Sequence, residues 1–279
     1  MKQARHFAFL FLTGLSVLCF LPPKVSAQTN ARMTILLDAL AIADVVQIMR
    51  VEGLEYADEL NGDMLNGQGG GFWQAQVERL YDTERMRETV RLGLERTLDE
   101  AEVNGTIAFF QTETGARIIE LENAARAAMA DDAVEDIARQ MYRDRAPEDD
   151  GRLSVISEFV DVNDLVERNI SGALTSNYQF YRGLVDGDAF EMTEEEITEQ
   201  VWAQEGEIRE DTTEWLFGFL IMAYTPLAPG DLEIYTELTR TKEGAALTAA
   251  LFEGFDSMYA DISYALGLAA AQAMQAEDI

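Results

Sequence analysis

The chain has 279 residues and a formal net charge of −30 at pH 7, because 51 acidic residues stand against 21 basic ones. Such a charge argues against nucleic-acid binding and against docking to an anionic membrane, since phosphate groups would repel the protein. The only histidine and the only cysteine of the chain are His6 and Cys19.

Residues 1–27 have the pattern of a secretory signal peptide. A basic start is followed by an apolar run over residues 7–21 and by small residues up to Ala27. The run is too short to span a bilayer comfortably, so we predict cleavage between Ala27 and Gln28 rather than anchoring. The residues before Cys19 do not form a lipoprotein cleavage site, and no lipid anchor is expected. The sequence therefore predicts an exported, periplasmic protein of a Gram-negative bacterium, with no stable membrane insertion after processing.

Cleavage would leave a chain without thiol or imidazole groups. This excludes Ser-His-Asp and Cys-His catalysts, and also zinc, copper or haem sites that use His or Cys ligands. Lys242 would be the only lysine left, and we expect it to be solvated beside a helix start. The acidic stretches at 161–164 and 186–188 lack the ligand spacing of a calcium loop. We therefore expect no cofactor, no metal and no catalytic residue that the sequence alone could name.

Apolar residues recur at helical spacing along the mature chain, whereas strand-like alternation is scarce. The helical faces are formed by Met86, Val90, Leu94 and Leu98, then by Ile118, Leu121, Ala125 and Met129, and near the end by Leu247, Leu251, Phe255, Met258, Ile262 and Leu266. Residues 215–224 are apolar on all sides, which predicts a helix buried between neighbours. The pattern predicts an all-α fold, namely a multi-helix bundle.

Helix starts are indicated by side chains that can accept backbone hydrogen bonds. We predict that Asp82 caps a helix, and that Asp132 with Glu135 and Thr193 with Glu196 form capping boxes.

An internal repeat divides the mature chain at the acidic, proline-containing segment 146–151. Residues 35–47 align with 155–167 without a gap, and the step from Thr112 to Gly115 aligns with the step from Thr241 to Gly244. Reconciling these blocks requires an insertion before Gly183, which would lengthen a helix of the second copy. We predict two tandem related helical halves, 28–147 and 150–279, packed as one unit.

The repeated step also carries a family resemblance. In each half a helix ends at Thr-x-x-Gly-Ala, a long amphipathic helix follows, and a tryptophan, Trp73 or Trp202, lies upstream. This arrangement resembles the bacterial family called domain of unknown function 2059, with its Phe-Tyr-x-[Ser/Thr]-Pro-x-Gly step. Here Glu113 and Lys242 replace the proline. The resemblance implies an exported, all-helical protein and supplies no catalytic residue.

Two hypotheses for the function remain open. The first is a non-enzymatic binding or protein-interaction module of the cell envelope, whose partner is an unknown protein or envelope component bound in a cleft between helices. The second is a carboxylate-based glycan hydrolase, with Asp or Glu side chains as acid and base and with Trp73, Tyr178, Tyr181 or Trp202 stacking on sugars. It predicts two carboxylates in one aromatic-lined cleft, at least one of them with a raised pKa.

Overall fold

The computed structural model describes residues 24–145, 151–228 and 230–277, and every regular element in these ranges is a helix. The helices are α1 (Lys24–Ala39), α2 (Ile42–Leu65), α3 (Gly70–Leu80), α4 (Thr83–Thr97), α5 (Glu100–Phe110), α6 (Glu113–Ala128), α7 (Asp132–Arg145), α8 (Gly151–Val162), α9 (Leu165–Asp186), α10 (Glu194–Trp202), α11 (Glu205–Tyr224), α12 (Asp231–Arg240) and α13 (Lys242–Glu277). The predicted all-α class is therefore confirmed. Most of the predicted signal segment and the predicted boundary at 146–150 lie outside the described residues, and the backbone at Ala27 and Gln28 belongs to α1.

Two helices organise the packing. The 36-residue helix α13 contacts α2, α3, α4, α5, α9 and α12, and its apolar face contributes Met258, Ile262 and Leu266 to the larger core. Helix α11 contacts α6, α7, α8 and α9, and its residues Leu216, Leu220 and Ile221 belong to the second core. The prediction that residues 215–224 form a buried helix is confirmed. No helix in the described ranges has the length and apolar character needed to cross a membrane.

The backbone of α13 approaches two other helices closely at glycines. A Cβ atom on Gly93 of α4 would overlap the Cα of Gly254, and one on Gly254 would lie 3.0 Å from the carbonyl oxygen of Val90. Farther along α13, a Cβ on Gly267 would lie 3.0 Å from the backbone nitrogen of Leu184 on α9. Ordinary side chains at these positions would push the helices apart, so the glycines determine how closely α13 packs.

Helices of the two predicted halves contact one another in matching pairs. In the first half, α1 contacts α2, α4 and α5; α2 contacts α3, α4 and α6; and α5 contacts α6. In the second half, α8 contacts α9, α11 and α12; α9 contacts α10, α11 and α13; and α12 contacts α13. Between the halves, α4 packs on α13 and α6 packs on α11. The contacts within each half are thus the same if α1 to α6 are paired in order with α8 to α13, whereas α13 also contacts α2, α3 and α5 of the first half. Duplication of one unit stays a prediction.

The structure corrects the register of the predicted repeat. Each half has a bend at a residue with left-handed backbone geometry, Ala41 (φ 47°) before α2 and Asp164 (φ 54°) before α9. Matching these bends shifts the alignment of residues 35–47 by three positions. Helix α9 has 22 residues and α2 has 24, so the predicted lengthening of the second copy is wrong. An amphipathic helix repeats every three to four residues, and a register displaced by three therefore looks nearly as good in sequence.

The predicted helix starts are mostly confirmed. The Asp82 side chain accepts a hydrogen bond from the Arg85 backbone, and Thr193 with Glu196 forms a complete capping box. At α7 the prediction is wrong by one residue, because the side chain of Asp131, rather than that of Asp132, accepts a hydrogen bond from Ala133 at 3.0 Å. Adjacent aspartates offer the same chemistry, and only the backbone direction decides which of them caps.

We expect Gly93→Ala to lower the free energy of unfolding by about 1–3 kcal/mol, since the new methyl group would force α4 away from α13. The matched control is Gly62→Ala in α2, where a Cβ meets no atom within 4 Å. There the lower entropy of the unfolded alanine chain should raise stability by about 0.5–1 kcal/mol. Urea unfolding of both variants measures the difference. Equal effects of the two substitutions would contradict the packing role of Gly93.

Candidate functional site

The repeated Thr-x-x-Gly steps have the same local geometry in both halves. The Thr112 hydroxyl accepts from the Gly115 backbone at 3.1 Å and donates to the carbonyl of Phe109 at 2.6 Å. The Thr241 hydroxyl accepts from Gly244 at 3.1 Å and donates to the carbonyl of Leu238 at 2.7 Å. Each threonine therefore joins the end of one helix to the start of the next.

The glycines of these steps allow a sharp change of direction. A Cβ atom on Gly115 would lie 2.8 Å from the Cα of Phe110, and one on Gly244 would lie 2.8 Å from the Cα of Thr239. The preceding helix end occupies that space in both cases. Each step therefore determines the direction in which the following helix, α6 or α13, begins.

A pocket of about 520 Å³ lies where helices of both halves meet. Its lining residues come from the α1–α2 bend and from α2, α6, α9, α12 and α13. Among them are Glu122, Asn123 and Arg126 of α6, Ala173 of α9, Tyr235 of α12, and Leu251, Phe252, Phe255, Asp256 and Tyr259 of α13. A volume of this size suits a small molecule, and pockets between bundle helices are common ligand sites.

The pocket has walls of different character. Leu251, Phe252 and Phe255 make the α13 wall largely apolar, whereas the α6 wall presents Glu122 and Asn123. Leu251 and Phe255 belong to the apolar face that the sequence predicted for the last helix, but they are only partly buried because they border the pocket. The arrangement suits a ligand with both an apolar and a polar part.

Glu122 is the polar residue most affected by its surroundings. Its carboxylate accepts a hydrogen bond from the Tyr224 hydroxyl at 2.6 Å. Desolvation by burial raises the pKa of Glu122 from its ordinary value of 4.5 to about 7, although the bond from Tyr224 acts in the opposite direction. Burial first, and then the charge of Glu122, also raise the pKa of Tyr224 and of Tyr235. Near neutral pH the pocket thus contains a carboxyl group that can exchange its proton.

Arg126 already has a counter-ion within the protein. Its guanidinium donates to both carboxylate oxygens of Glu52 at 3.0 and 2.7 Å and to the hydroxyl of Tyr259 at 3.3 Å. The same group lies 5.9 Å from the centre of the Trp215 ring. This bidentate pair has no net charge, so the positive charge of Arg126 is balanced before any ligand binds.

Asp256 lies on the α13 side of the pocket. Burial, and then the negative charge of Glu253, raise its pKa, while Arg168 lowers it. Arg168 forms no ion pair with Asp256: its guanidinium donates to the backbone carbonyl of Asn163 at 3.1 Å and lies 5.4 Å from the centre of the Phe252 ring. Asp256 therefore adds a second carboxyl group without a close cationic partner to the pocket.

The aromatic residues proposed for sugar stacking are spread over different places. Trp73 is 1% exposed in the larger core and cannot meet a ligand, and Tyr181 packs against the same core. Tyr178 and Trp202 do come together, in a separate groove of about 360 Å³ between α9 and α10. Trp202 is 63% exposed there. The error for Trp73 arises because a tryptophan in an amphipathic helix fits a core as well as a binding site.

No group of three or more acidic, His or Cys residues that could hold a metal ion occurs in the described ranges. Lys242 is 73% exposed and pairs with Glu102 at 3.1 Å and Asp99 at 3.4 Å, so its ammonium group ties the start of α13 to that of α5. Asp186 accepts from the Tyr264 hydroxyl at 3.0 Å.

Sequence reasoning did not single out Glu122 or Asp256. In a chain with 51 acidic residues, one more Glu or Asp has no distinguishing mark. A usable signal was present for Glu122, since it directly follows the buried Leu121 and precedes the buried Ala125 on one helix. An acidic residue beside a buried face is a candidate for a functional group.

We expect the raised pKa of Glu122 to make the protein less stable as the pH rises from about 4.5 to 7. In that window the folded state retains a proton that the unfolded state has lost, so the free energy of unfolding falls, by up to about 3 kcal/mol. Glu122→Gln should lack this contribution. Urea unfolding at several pH values measures it as the difference between wild type and variant.

The control is Glu120→Gln, an exposed position on the same helix. Its stability should follow the pH dependence of the wild type. Curves for Glu122→Gln that run parallel to the wild type would show that Glu122 titrates normally.

Comparison with known proteins gives one match. No curated protein and no solved structure is significantly similar to this chain. Residues 84–144 match the profile of a bacterial family described as "Uncharacterized protein conserved in bacteria (DUF2059)". The match covers α4 to α7, which include the Thr112–Gly115 step and the α6 wall of the pocket. The resemblance stated from the sequence is confirmed for residues 84–144, which are similar to that uncharacterised bacterial family.

Proposed function

We propose that this chain is an exported, non-enzymatic binding protein of the bacterial cell envelope, and that it holds a small, partly apolar molecule in the pocket between α6, α9 and α13. The observation that carries the proposal is the pocket itself, with about 520 Å³ of space between an apolar wall and a polar one. Pockets of this kind bind small ligands through apolar contact and a few well-placed polar groups.

The chemical inventory supports binding rather than catalysis. A chain cleaved after Ala27 would have neither His nor Cys, and Arg126 already pairs with Glu52. The groove around Trp202 and Tyr178 is a further place where an envelope component or protein could bind. Its exposed tryptophan is the kind of side chain that dominates interaction surfaces.

A glycan hydrolase is the second candidate, because Glu122 and Asp256 line the same aromatic pocket and both have a raised pKa. A carboxylic acid that keeps its proton near neutral pH can act as a general acid. Release of reducing ends from peptidoglycan by the wild type, and its loss in both Glu122→Gln and Asp256→Asn, would favour this function over simple binding.

We expect Ala173→Trp to weaken ligand binding strongly by filling part of the pocket from α9. The probe is N-phenyl-1-naphthylamine, an uncharged dye whose fluorescence increases in apolar surroundings. The wild type should bind it saturably, and the variant at least about tenfold more weakly. The matched control is Ala127→Trp, at an exposed position of α6, which should bind as the wild type does. Saturable binding that Ala173→Trp leaves unchanged would place the ligand elsewhere, and no binding at all would contradict the proposal.

We expect export to remove the first 27 residues. Expression of the full chain in a Gram-negative host, followed by mass measurement of the protein from the periplasmic fraction, should give a chain that begins at Gln28. Replacing the small residue at the cleavage point in Ala27→Arg should leave the precursor unprocessed. Recovery of the uncleaved wild-type chain in the cytoplasm would contradict the proposal.

A further inference from the structure

We infer that the pocket is selective for organic cations, namely amines or quaternary ammonium compounds with an apolar body, and that Glu122 and Asp256 receive the cationic group. The inference rests on the proposed function, because it names the ligand class of the same pocket. Four observations of different kinds support it.

First, the pocket contains carboxyl groups that no basic side chain neutralises. Glu122 is bonded to the uncharged Tyr224 hydroxyl, and Arg168, whose charge lowers the pKa of Asp256, donates its hydrogen bond to a backbone carbonyl and not to that carboxylate. A buried carboxylate without a counter-ion is costly, so a cationic ligand would gain free energy by supplying one.

Second, the charge of the pocket's own cation is already balanced. Arg126 donates from Nε and Nη2 to both oxygens of Glu52 and from Nη2 to the Tyr259 hydroxyl. An anionic amphiphile such as a fatty acid would find this positive charge neutralised by Glu52 and would also meet Glu122 and Asp256. The electrostatics of the pocket therefore disfavour an anionic head group.

Third, aromatic rings accompany the carboxyl groups. Phe252, Phe255 and Tyr259 come from α13 and Tyr235 comes from α12, and all four line the pocket. The faces of aromatic rings attract ammonium groups, and the attraction is stronger where water is excluded. Arg168 already uses the ring of Phe252 in this way from outside the pocket lining.

Fourth, the whole chain favours the approach of cations. A formal net charge of −30 produces a negative potential around the protein, which raises the local concentration of positively charged solutes. This potential alone gives no selectivity, so a test must separate it from the pocket.

The binding should depend on pH through Glu122. Tyr224 of α11 donates to this carboxyl, and the other titratable or charged groups that line the pocket are Tyr235 of α12, Arg126 of α6, and Tyr259 and Asp256 of α13, with Glu52 of α2 paired to Arg126. The pKa of Glu122 lies near 7, and burial also raises the pKa of Asp256. A cation prefers the ionised carboxylate, so its affinity should increase as the pH rises from about 6 to 8.

The experiment compares octyltrimethylammonium, 1-octanol and octanoate, which share one tail and differ in head-group charge. Isothermal titration calorimetry of the wild type should give about tenfold tighter binding of the ammonium compound than of octanol, with octanoate weakest. Glu122→Gln and Asp256→Asn should bring the affinity for the cation toward that for octanol, so that the ratio of the two affinities falls toward one in each variant.

The control variant, Glu120→Gln, removes one negative charge from the surface of α6 and should leave the preference for the cation intact. Loss of the preference in this control would mean that the general negative potential, and not the pocket, selects the cation.

The outcomes separate the two proposals. Equal binding of the three compounds, or tighter binding of octanoate, would overturn the inference and leave the small-ligand pocket standing. Absence of binding by all three compounds and by N-phenyl-1-naphthylamine would overturn both. Circular dichroism and thermal unfolding check that the variants are folded before their affinities are compared.

Discussion

The close packing of α13 against α4 and α9 is the constraint on which the rest of the structure depends. Gly254 meets Gly93 of α4, and Gly267 meets the backbone of α9 near Leu184. With its backbone fixed at these points, α13 contacts helices of both halves and its apolar residues complete the larger core. A side chain larger than that of glycine at these positions would separate the helices, so the three glycines determine how closely α13 packs against α4 and α9.

The pocket is a consequence of this arrangement. Gly254 lies within the stretch of α13 that borders the pocket, between Leu251 and Phe255, so the contact with α4 holds the apolar wall in place. The opposite wall belongs to α6, the helix that corresponds to α13 in the matching pattern of contacts. Corresponding helices thus face the same space with different side chains. Helix α13 supplies apolar contacts together with Asp256, whereas α6 supplies Glu122 and Asn123, so the two walls of the pocket differ.

The charged groups of the pocket differ in whether the protein itself provides a partner of opposite charge. Arg126 has Glu52, Tyr259 and Trp215 as partners, and its charge is used to hold α6 to its neighbours. Glu122 accepts one hydrogen bond, from the Tyr224 hydroxyl, and pairs with no basic side chain in the described residues. Its burial therefore raises its pKa. Groups kept in such a state lower the stability of the fold, and they are common at sites that bind or react. The contrast between these residues on one helix is the strongest functional signal in the molecule.

The sequence by itself determined the helical class, the apolar faces of α4, α6 and α13, the caps at Asp82 and Thr193, and the resemblance that the match over residues 84–144 confirms. These properties depend on neighbours a few residues apart, so local periodicity and capping chemistry reveal them. Tertiary structure alone decided which helices contact one another, the burial of Trp73 and the presence of Glu122 and Asp256 in the lining of one pocket. A helical pattern looks almost the same after a shift of three residues, and the acidic residues of this chain look alike until packing removes water from a few of them.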